Sequence, residues 1–307
     1  MKKMILIFMA IIFIYNLSYC QEVKFIALNV KGKVNLIKGS KTLIIKVGDK
    51  IYDKDKIKIN KNTYLDLVYK DGRTLNLRKA GEYDSKKLIS LINSNKSSTT
   101  KKFTNYVLAQ FVQSVDDIGN MKVTGSVERL IKFPIDYCTP SNTDIYGEIA
   151  AFSWFSSTKK SYIFSIASST GKIIYSKQLN DTSLVINFKK IKLTRGDHFK
   201  WFITEASKNK SLTDTSHFYW LTQTNANLIK DSVNILMKDF RNIDNSMKQT
   251  LLASFYNNHK LYIDMLAAYE NAIKFSPNDV TFKKLYIKAL DKVGLKRKAE
   301  LLFKQLN

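Results

Sequence analysis

The spacing of apolar residues differs between parts of this chain, and that difference restricts the fold more than any other feature. Over residues 23–83, and again over residues 137–222, apolar and polar side chains alternate as they do in half-buried β-strands. From Ile229 onward the apolar residues recur every three or four positions, which is the period of a helix. The pattern predicts a multidomain chain with two β-rich parts followed by an α-helical part.

The first twenty residues have the composition of a secretory signal. Two lysines precede an apolar run at residues 4–15, and the small residues Ser18 and Cys20 precede Gln21. We therefore expect residues 1–20 to be removed and the mature chain to begin at Gln21. A retained anchor is the second alternative, but the run is short for a bilayer span. Lipidation of Cys20 is the third.

Export has consequences for the rest of the chain. The expected location is the periplasm or the cell surface of a bacterium, and no later segment is apolar enough to span a membrane. Without Cys20 the chain keeps only Cys138, so an internal disulfide is excluded. We predict no cofactor, no metal site and no catalytic residue, because no phosphate loop, nucleophile motif or metal-ligand spacing is present. The three histidines, which stand outside any such motif, are His198, His217 and His259.

The formal charge of +24 makes an anionic partner plausible, either a phosphorylated glycan or a lipid surface. Lysine far outnumbers arginine, however, and proteins that read bases use the bidentate fork of arginine. We therefore predict no nucleic-acid partner. The lysines are spread over the whole chain, which favours a compositional origin of the charge.

The composition divides the chain into four parts after the signal. Residues 21–83 form the first β module, residues 84–136 a helical segment with a linker, residues 137–222 the second β domain and residues 223–307 the helical part. Within residues 84–136, helical spacing occurs at residues 85–93 and 102–115 and is interrupted by a polar stretch.

The first module resembles the periplasmic FecR-like domain in the order of its turn motifs. The motifs are Gly32-Lys33-Val34, Val47-Gly48-Asp49, Asp55-Lys56-Ile57 and Asp71-Gly72. The resemblance implies a small β-fold used for signalling or binding in the cell envelope, without the anti-sigma segment of the full regulator. Asp49, Asp55 and Asp71 are interpreted as turn residues in preference to a calcium or acid-base cluster.

The second β domain contains six short runs of strand type. They are residues 152–154, 162–166, 172–175, 183–186, 198–203 and 216–220. Their order resembles a fibronectin type III or related immunoglobulin-like sandwich, in which Trp154 would face the strand that carries Phe199 and Trp201. The resemblance implies that the aromatic residues form the core. A minority alternative is a carbohydrate-binding platform made of Trp201, Tyr219 and Trp220.

The helical part resembles a tetratricopeptide repeat (TPR). The positions that match are Leu252-Ala253, Tyr256, Tyr269, Ala272 and Pro277, followed by Gly294, Ala299 and Phe303 one period later. Small alanines would let paired helices approach closely, and Pro277 would end a helix. The helix around residues 229–240 would complete the stack, or the array would dock onto the sandwich.

The resemblance places the candidate partner-binding residues on the first helix of each pair. They are Thr250, Ser254, Asn257, Lys284 and Lys288. A peptide or a protein tail would bind there, and the lysines would favour carboxylates. The alternative, that these are ordinary solvated positions, is left open.

Three functions follow as expectations. The first is a non-catalytic protein-protein interaction scaffold of the cell envelope whose partner is an envelope protein or peptide. The second is a binder of anionic surface glycan or peptidoglycan. The third is a hydrolase whose two carboxylates meet only in space, which a sequence without a motif does not reveal.

Overall fold

The computed structural model describes residues 22–70, 73–94, 135–156, 161–206, 215–239 and 243–306. The predicted signal at residues 1–20, the predicted helix at residues 102–115 and Asp71 lie outside these ranges. Within them, β-strands occupy the first two-thirds and helices the last part. The predicted layout, with β-rich parts followed by an α-helical part, is therefore confirmed.

The part of the first module that the structure describes has eight short strands. They are β1 (Val23–Lys31), β2 (Asn35–Lys38), β3 (Lys41–Ile44), β4 (Lys50–Tyr52), β5 (Lys56–Ile59), β6 (Tyr64–Tyr69), β7 (Thr74–Leu77) and β8 (Gly81–Asp84). They form two four-stranded sheets with the orders β4-β1-β6-β7 and β3-β2-β5-β8. Neighbouring strands pair antiparallel in both sheets.

The core of this module lies between the two sheets. In β5 the exposed Lys56 and Lys58 alternate with the buried Ile57 and Ile59, as a half-buried strand requires. Helix α1 (Ser85–Ser94) follows β8 directly and adds Leu88 and Ile92 to the same buried cluster.

Two of the three aspartates discussed above form turn hydrogen bonds. The Lys46 backbone N–H donates to Asp49 Oδ2 at 2.8 Å, and the Tyr52 backbone N–H donates to Asp55 Oδ2 at 2.9 Å. Gly48, with φ of 88°, supplies the left-handed position that the first of these turns needs. The turn interpretation is confirmed for Asp49 and Asp55.

In the second domain, residues 135–156, 161–206 and 215–220 form a two-sheet sandwich of eight strands. They are β9 (Ile135–Tyr137), β10 (Thr143–Ile145), β11 (Ile149–Ser156), β12 (Tyr162–Ser168), β13 (Ile173–Leu179), β14 (Ser183–Asn187), β15 (His198–Glu205) and β16 (Ser216–Trp220). One sheet has the order β14-β11-β9 and the other β10-β16-β15-β12-β13. The pair β10 and β16 is parallel. All six predicted strands are present, and β9 and β10 add to them.

Aromatic rings fill the centre of the sandwich. Phe164 stacks on Trp201 with ring centroids 5.5 Å apart and on Trp154 at 6.3 Å. Trp201 and Trp220 are only 1% and 2% exposed, so these rings cannot form a platform for a sugar. The carbohydrate alternative is wrong for both residues, because alternation along the two strands points them into the core.

The described residues from 223 onward form five helices. They are α2 (Gln223–Asp239), α3 (Asn245–Asn258), α4 (Tyr262–Phe275), α5 (Val280–Lys292) and α6 (Lys296–Lys304). The turns after α3 and α5 each contain a residue of positive φ, Lys260 at 57° and Gly294 at 81°, at positions 34 residues apart. A buried leucine follows in each case, Leu261 and Leu295. No helix in the described ranges is long and apolar enough to cross a membrane.

The helices and the two β domains share one buried apolar cluster. Ile26, Leu28 and Val68, on the outward face of the β1-β6 pair, belong to the same cluster as the side chains of α2 to α6. Leu221, at the end of β16, belongs to it as well. The array therefore docks onto the sandwich, as one of the two alternatives had it, and onto the first module too.

A side chain of strand β10 caps the N-terminus of α4. The capping residue Leu261 has no side chain that could accept a hydrogen bond. Instead, the Tyr262 backbone N–H donates to Thr143 Oγ1 at 3.0 Å, and Thr143 Oγ1 donates to the Lys260 carbonyl at 3.2 Å. A residue of the sandwich thus caps a helix of the array.

Candidate functional site

Two helical hairpins build the candidate site. Helix α3 pairs with α4, and α5 pairs with α6. Asp244 begins α3 by accepting from the Ser246 backbone N–H at 2.9 Å, and Asp279 begins α5 by accepting from the Thr281 backbone N–H at 2.9 Å. The small residues that the sequence placed at the helix contacts are buried: Ala253, Ala272 and Ala299.

A groove lies between α3, α4 and α5, with a volume of about 210 Å³. Its floor consists of the buried side chains of Met265, Tyr269, Leu285 and Ala289. Its polar lining consists of Asn257, Lys288, Asp291 and Lys292. An apolar floor with a few polar groups at the edge is the usual composition of a peptide or small-ligand site.

The two lysines make the edge of the groove cationic. Lys292 Nζ donates to Asn257 Oδ1 at 2.8 Å, which ties the end of α5 to the end of α3. Burial lowers the pKa of Lys292. Its hydrogen-bond acceptor is a neutral amide, so the positive charge of this lysine is not cancelled by that contact.

The structure brings together two of the five sequence-predicted residues. Asn257 and Lys288 line the groove, and both are half-buried. Lys284 is also half-buried and lies one turn before Lys288 on α5, outside the groove lining. Binding by these three residues remains a prediction.

Thr250 and Ser254 are not on an accessible surface, which corrects the sequence-based placement. Both are fully buried, and Thr250 Oγ1 donates to the Ser246 carbonyl within α3 at 2.9 Å. The physical reason is that α3 is buried on several faces, with nine buried residues between Ser246 and Tyr256. Helical spacing alone predicts one buried face and one free face, so it misplaces side chains on such a central helix.

Six lining residues were missed as site residues: Met265, Tyr269, Leu285, Ala289, Asp291 and Lys292. Of these, Tyr269 was assigned only to a packing position of the repeat. Lys292 follows Lys288 by four residues, so both project from the same face of α5. That spacing was the available signal.

A second polar cluster joins the sandwich to the last hairpin. Arg297 Nη1 donates to Asp136 Oδ2 at 2.9 Å, and its guanidinium lies 3.7 Å from the ring centroid of Phe155. Lys298 Nζ lies 3.0 Å from Glu270 Oε1. Burial raises the pKa of the nearby Cys138 thiol, so the group favours its neutral form. The Arg297 contacts connect the last hairpin to the sandwich, whereas the Lys298 contact lies within the array.

The described residues contain no group of three or more His, Cys, Asp or Glu side chains that could hold a metal ion.

Comparison with known proteins finds no match in sequence, but it finds distant similarities to solved structures. No protein-family model and no curated protein matches the chain. The fibronectin(III)-like modules of Clostridium thermocellum CbhA, a β fold, are similar at 10% identity and a TM-score of 0.22, over 68% of this chain and 84% of that chain. The Parabacteroides merdae β-glucuronidase, solved with glycerol in its active site, is similar at 10% identity and a TM-score of 0.19. That alignment covers 38% of this chain and 22% of the enzyme.

Proposed function

We propose that this chain is an exported, non-catalytic protein of the bacterial cell envelope that acts as a protein-protein interaction scaffold. The observation that carries the proposal is the groove between α3, α4 and α5, with its apolar floor and its two lysines. Such a groove suits an apolar side chain of a partner segment together with its polar backbone and carboxylates. The partner is an envelope protein or peptide.

We propose further that the helical part is a TPR-like repeat. The left-handed turn residues 34 residues apart and the buried alanines at the helix contacts support it, because 34 residues is the period of that repeat. The FecR-like assignment of the first module is supported by the order of its turn motifs and by its compact antiparallel sheets.

Export rests on the basic residues and the apolar run at the N-terminus. Sequencing the N-terminus of the protein recovered from the periplasm or the cell surface tests it, with Gln21 as the expected first residue. Recovery in the cytoplasm with Met1 intact would contradict export, and a blocked, lipid-modified Cys20 would establish the lipoprotein alternative.

Photo-crosslinking at one residue tests the scaffold function without removing any part of the fold. A photoreactive amino acid replaces Lys288 in the full chain, which is expressed in the source cells and irradiated. The control carries the same amino acid at Lys177, which is exposed on β13 of the sandwich. Deleting the helices would be a poor control, because they cover Ile26, Leu28 and Val68.

With the photoreactive amino acid at position 288, the expected result is a discrete adduct with one envelope protein that recurs in repeated experiments. This adduct should be absent when the photoreactive amino acid is at position 177. It should be weaker when Lys292→Glu is added to the chain that carries it at position 288. Crosslinking to a heterogeneous polymer would instead support the alternative of an anionic glycan binder, which the charge of +24 favours. Equal crosslinking from both positions, or none, would contradict a groove-based scaffold.

A further inference from the structure

Three lysines form a row along one face of α5. Lys284, Lys288 and Lys292 follow one another at intervals of four residues, so their Cα atoms rise by about 6 Å at each step. Like charges at this spacing repel one another and destabilise an isolated helix. The row therefore presents positive charge at an interval that a ligand with negative groups at a similar interval would match.

Three of the five other cations of α5 and α6 have acidic partners within the array or the sandwich, and Lys283 and Lys296 have none among the described residues. Lys298 pairs with Glu270, Arg297 with Asp136 and Lys304 with Glu300. In the described part of the chain, Lys284 and Lys292 have no such ion pair. Among the described residues that line the groove, Asp291 is the one carboxylate, against the two lysines Lys288 and Lys292.

The floor beside the row decides between two classes of anionic ligand. Met265, Leu285 and Ala289 offer apolar surface next to the ammonium groups. A phosphate-rich glycan would meet the lysines but would leave this floor without an apolar contact. A peptide segment can supply apolar contacts and negative charge together, because an amphipathic segment can carry apolar and acidic side chains next to each other.

We propose that the groove and the row of Lys284, Lys288 and Lys292 receive an acidic amphipathic peptide segment whose side-chain carboxylates are spaced about 6 Å apart. This rests on the proposed scaffold function and specifies its ligand. Glutamates at every fourth position of a helix have this spacing, and the apolar residues between them reach the floor. Recognition lies in the side chains of an internal segment, so a free C-terminus is not required.

The test uses the full mature chain and a fluorescent, amidated peptide of about 15 residues with glutamate at every fourth position and leucines on the adjoining face. Three matched peptides accompany it: one with glutamine for glutamate, one with serine for leucine and one of scrambled order. Binding is followed by fluorescence anisotropy at about 0.05 and 0.5 M salt, where the Debye length shortens severalfold.

The matched protein variants each reverse three charges. The test variant is Lys284→Glu, Lys288→Glu and Lys292→Glu. The control is Lys172→Glu, Lys177→Glu and Lys190→Glu, at exposed positions of the sandwich. We expect the glutamate peptide to bind at least tenfold more tightly than the other three peptides. The test variant should lose at least tenfold in affinity, whereas the control should keep the native value.

Other outcomes separate this inference from the scaffold function. Equal binding of the glutamine peptide would keep the groove as a peptide site and overturn the acidic specificity. Equal loss in both charge-reversed variants would show attraction to net charge, and would overturn the inference too. Binding of a polyphosphate but of none of the peptides, lost only in the test variant, would overturn it in favour of the glycan alternative.

Discussion

The carboxyl group of Asp264 lies where the sandwich meets the helices. It belongs to the first turn of α4 and faces the rings of Tyr146, from the sandwich, and Tyr256, from α3, whose centroids are 6.5 Å apart. Burial raises the pKa of Asp264 to about 6, because the apolar surroundings disfavour the charged form. At neutral pH Asp264 is therefore ionised in the folded protein, and the burial of its charge lowers the free energy of unfolding.

The sign of the pH dependence follows. The folded protein binds the proton more tightly than the unfolded one, so the contribution of Asp264 to stability is complete below its unfolded pKa and is lost as the pH rises through about 6. We expect Asp264→Asn to raise the free energy of unfolding by about 1 kcal/mol at about pH 7.5 and to leave it nearly unchanged at about pH 3, below the unfolded pKa.

Urea unfolding of both proteins between these pH values measures the difference. Burial lowers the pKa of His259, so this residue changes stability with pH in the opposite direction. Its contribution is the same in both proteins and cancels in the difference. Parallel pH profiles for the native protein and the variant would show that Asp264 is not the titrating group.

Among the helices, α4 depends on another domain for its first hydrogen bonds. Thr143 supplies both the acceptor for the Tyr262 N–H and the donor for the Lys260 carbonyl. We expect Thr143→Ala to destabilise the protein by about 1 kcal/mol, as the loss of a cap does elsewhere, whereas Thr143→Ser keeps the hydroxyl and most of the stability. Equilibrium unfolding followed by circular dichroism checks this. Equal losses in both variants would mean that the methyl group matters and the hydroxyl does not.

At the scale of the whole molecule, the shared cluster should make the domains unfold together. All three tryptophans of the chain, Trp154, Trp201 and Trp220, lie in the sandwich, so tryptophan fluorescence reports that domain. Far-ultraviolet circular dichroism is dominated by the helices. We expect the two signals to change over the same range of urea concentration. Two separate transitions would contradict a common core.

The first module should be part of the same unit. Leu28 is buried in the shared cluster, whereas Ile44 of the same module is 50% exposed at an edge strand. Leu28→Lys places a charge in the cluster and should cost about 3 kcal/mol or more, lowering the helical transition as well. Ile44→Lys is the matched control and should change the free energy of unfolding by less than about 0.5 kcal/mol.

How much of this was predictable depends on the range of the interactions involved. The six longer strands of the sandwich and the hairpin turns follow from local alternation and glycine chemistry, so the sequence predicts them. Strands β9 and β10 have three residues each, too few for a period to register. Asn257 and Lys288 line the groove, and their role in binding stays a prediction. Thr250 and Ser254 were misplaced at a surface, because their burial depends on packing around α3 that no local pattern contains.

The contact between Arg297 and Asp136 joins the last described helix to the first strand of the sandwich. Because these residues are 161 positions apart, the ion pair closes a long loop of the chain by a non-covalent contact. Cleavage of one peptide bond in this loop, for example by trypsin after the exposed Lys190, gives two fragments that stay associated through non-covalent contacts. The two fragments should migrate together on a native gel and separate only in denaturant, so a nicked molecule would keep its groove.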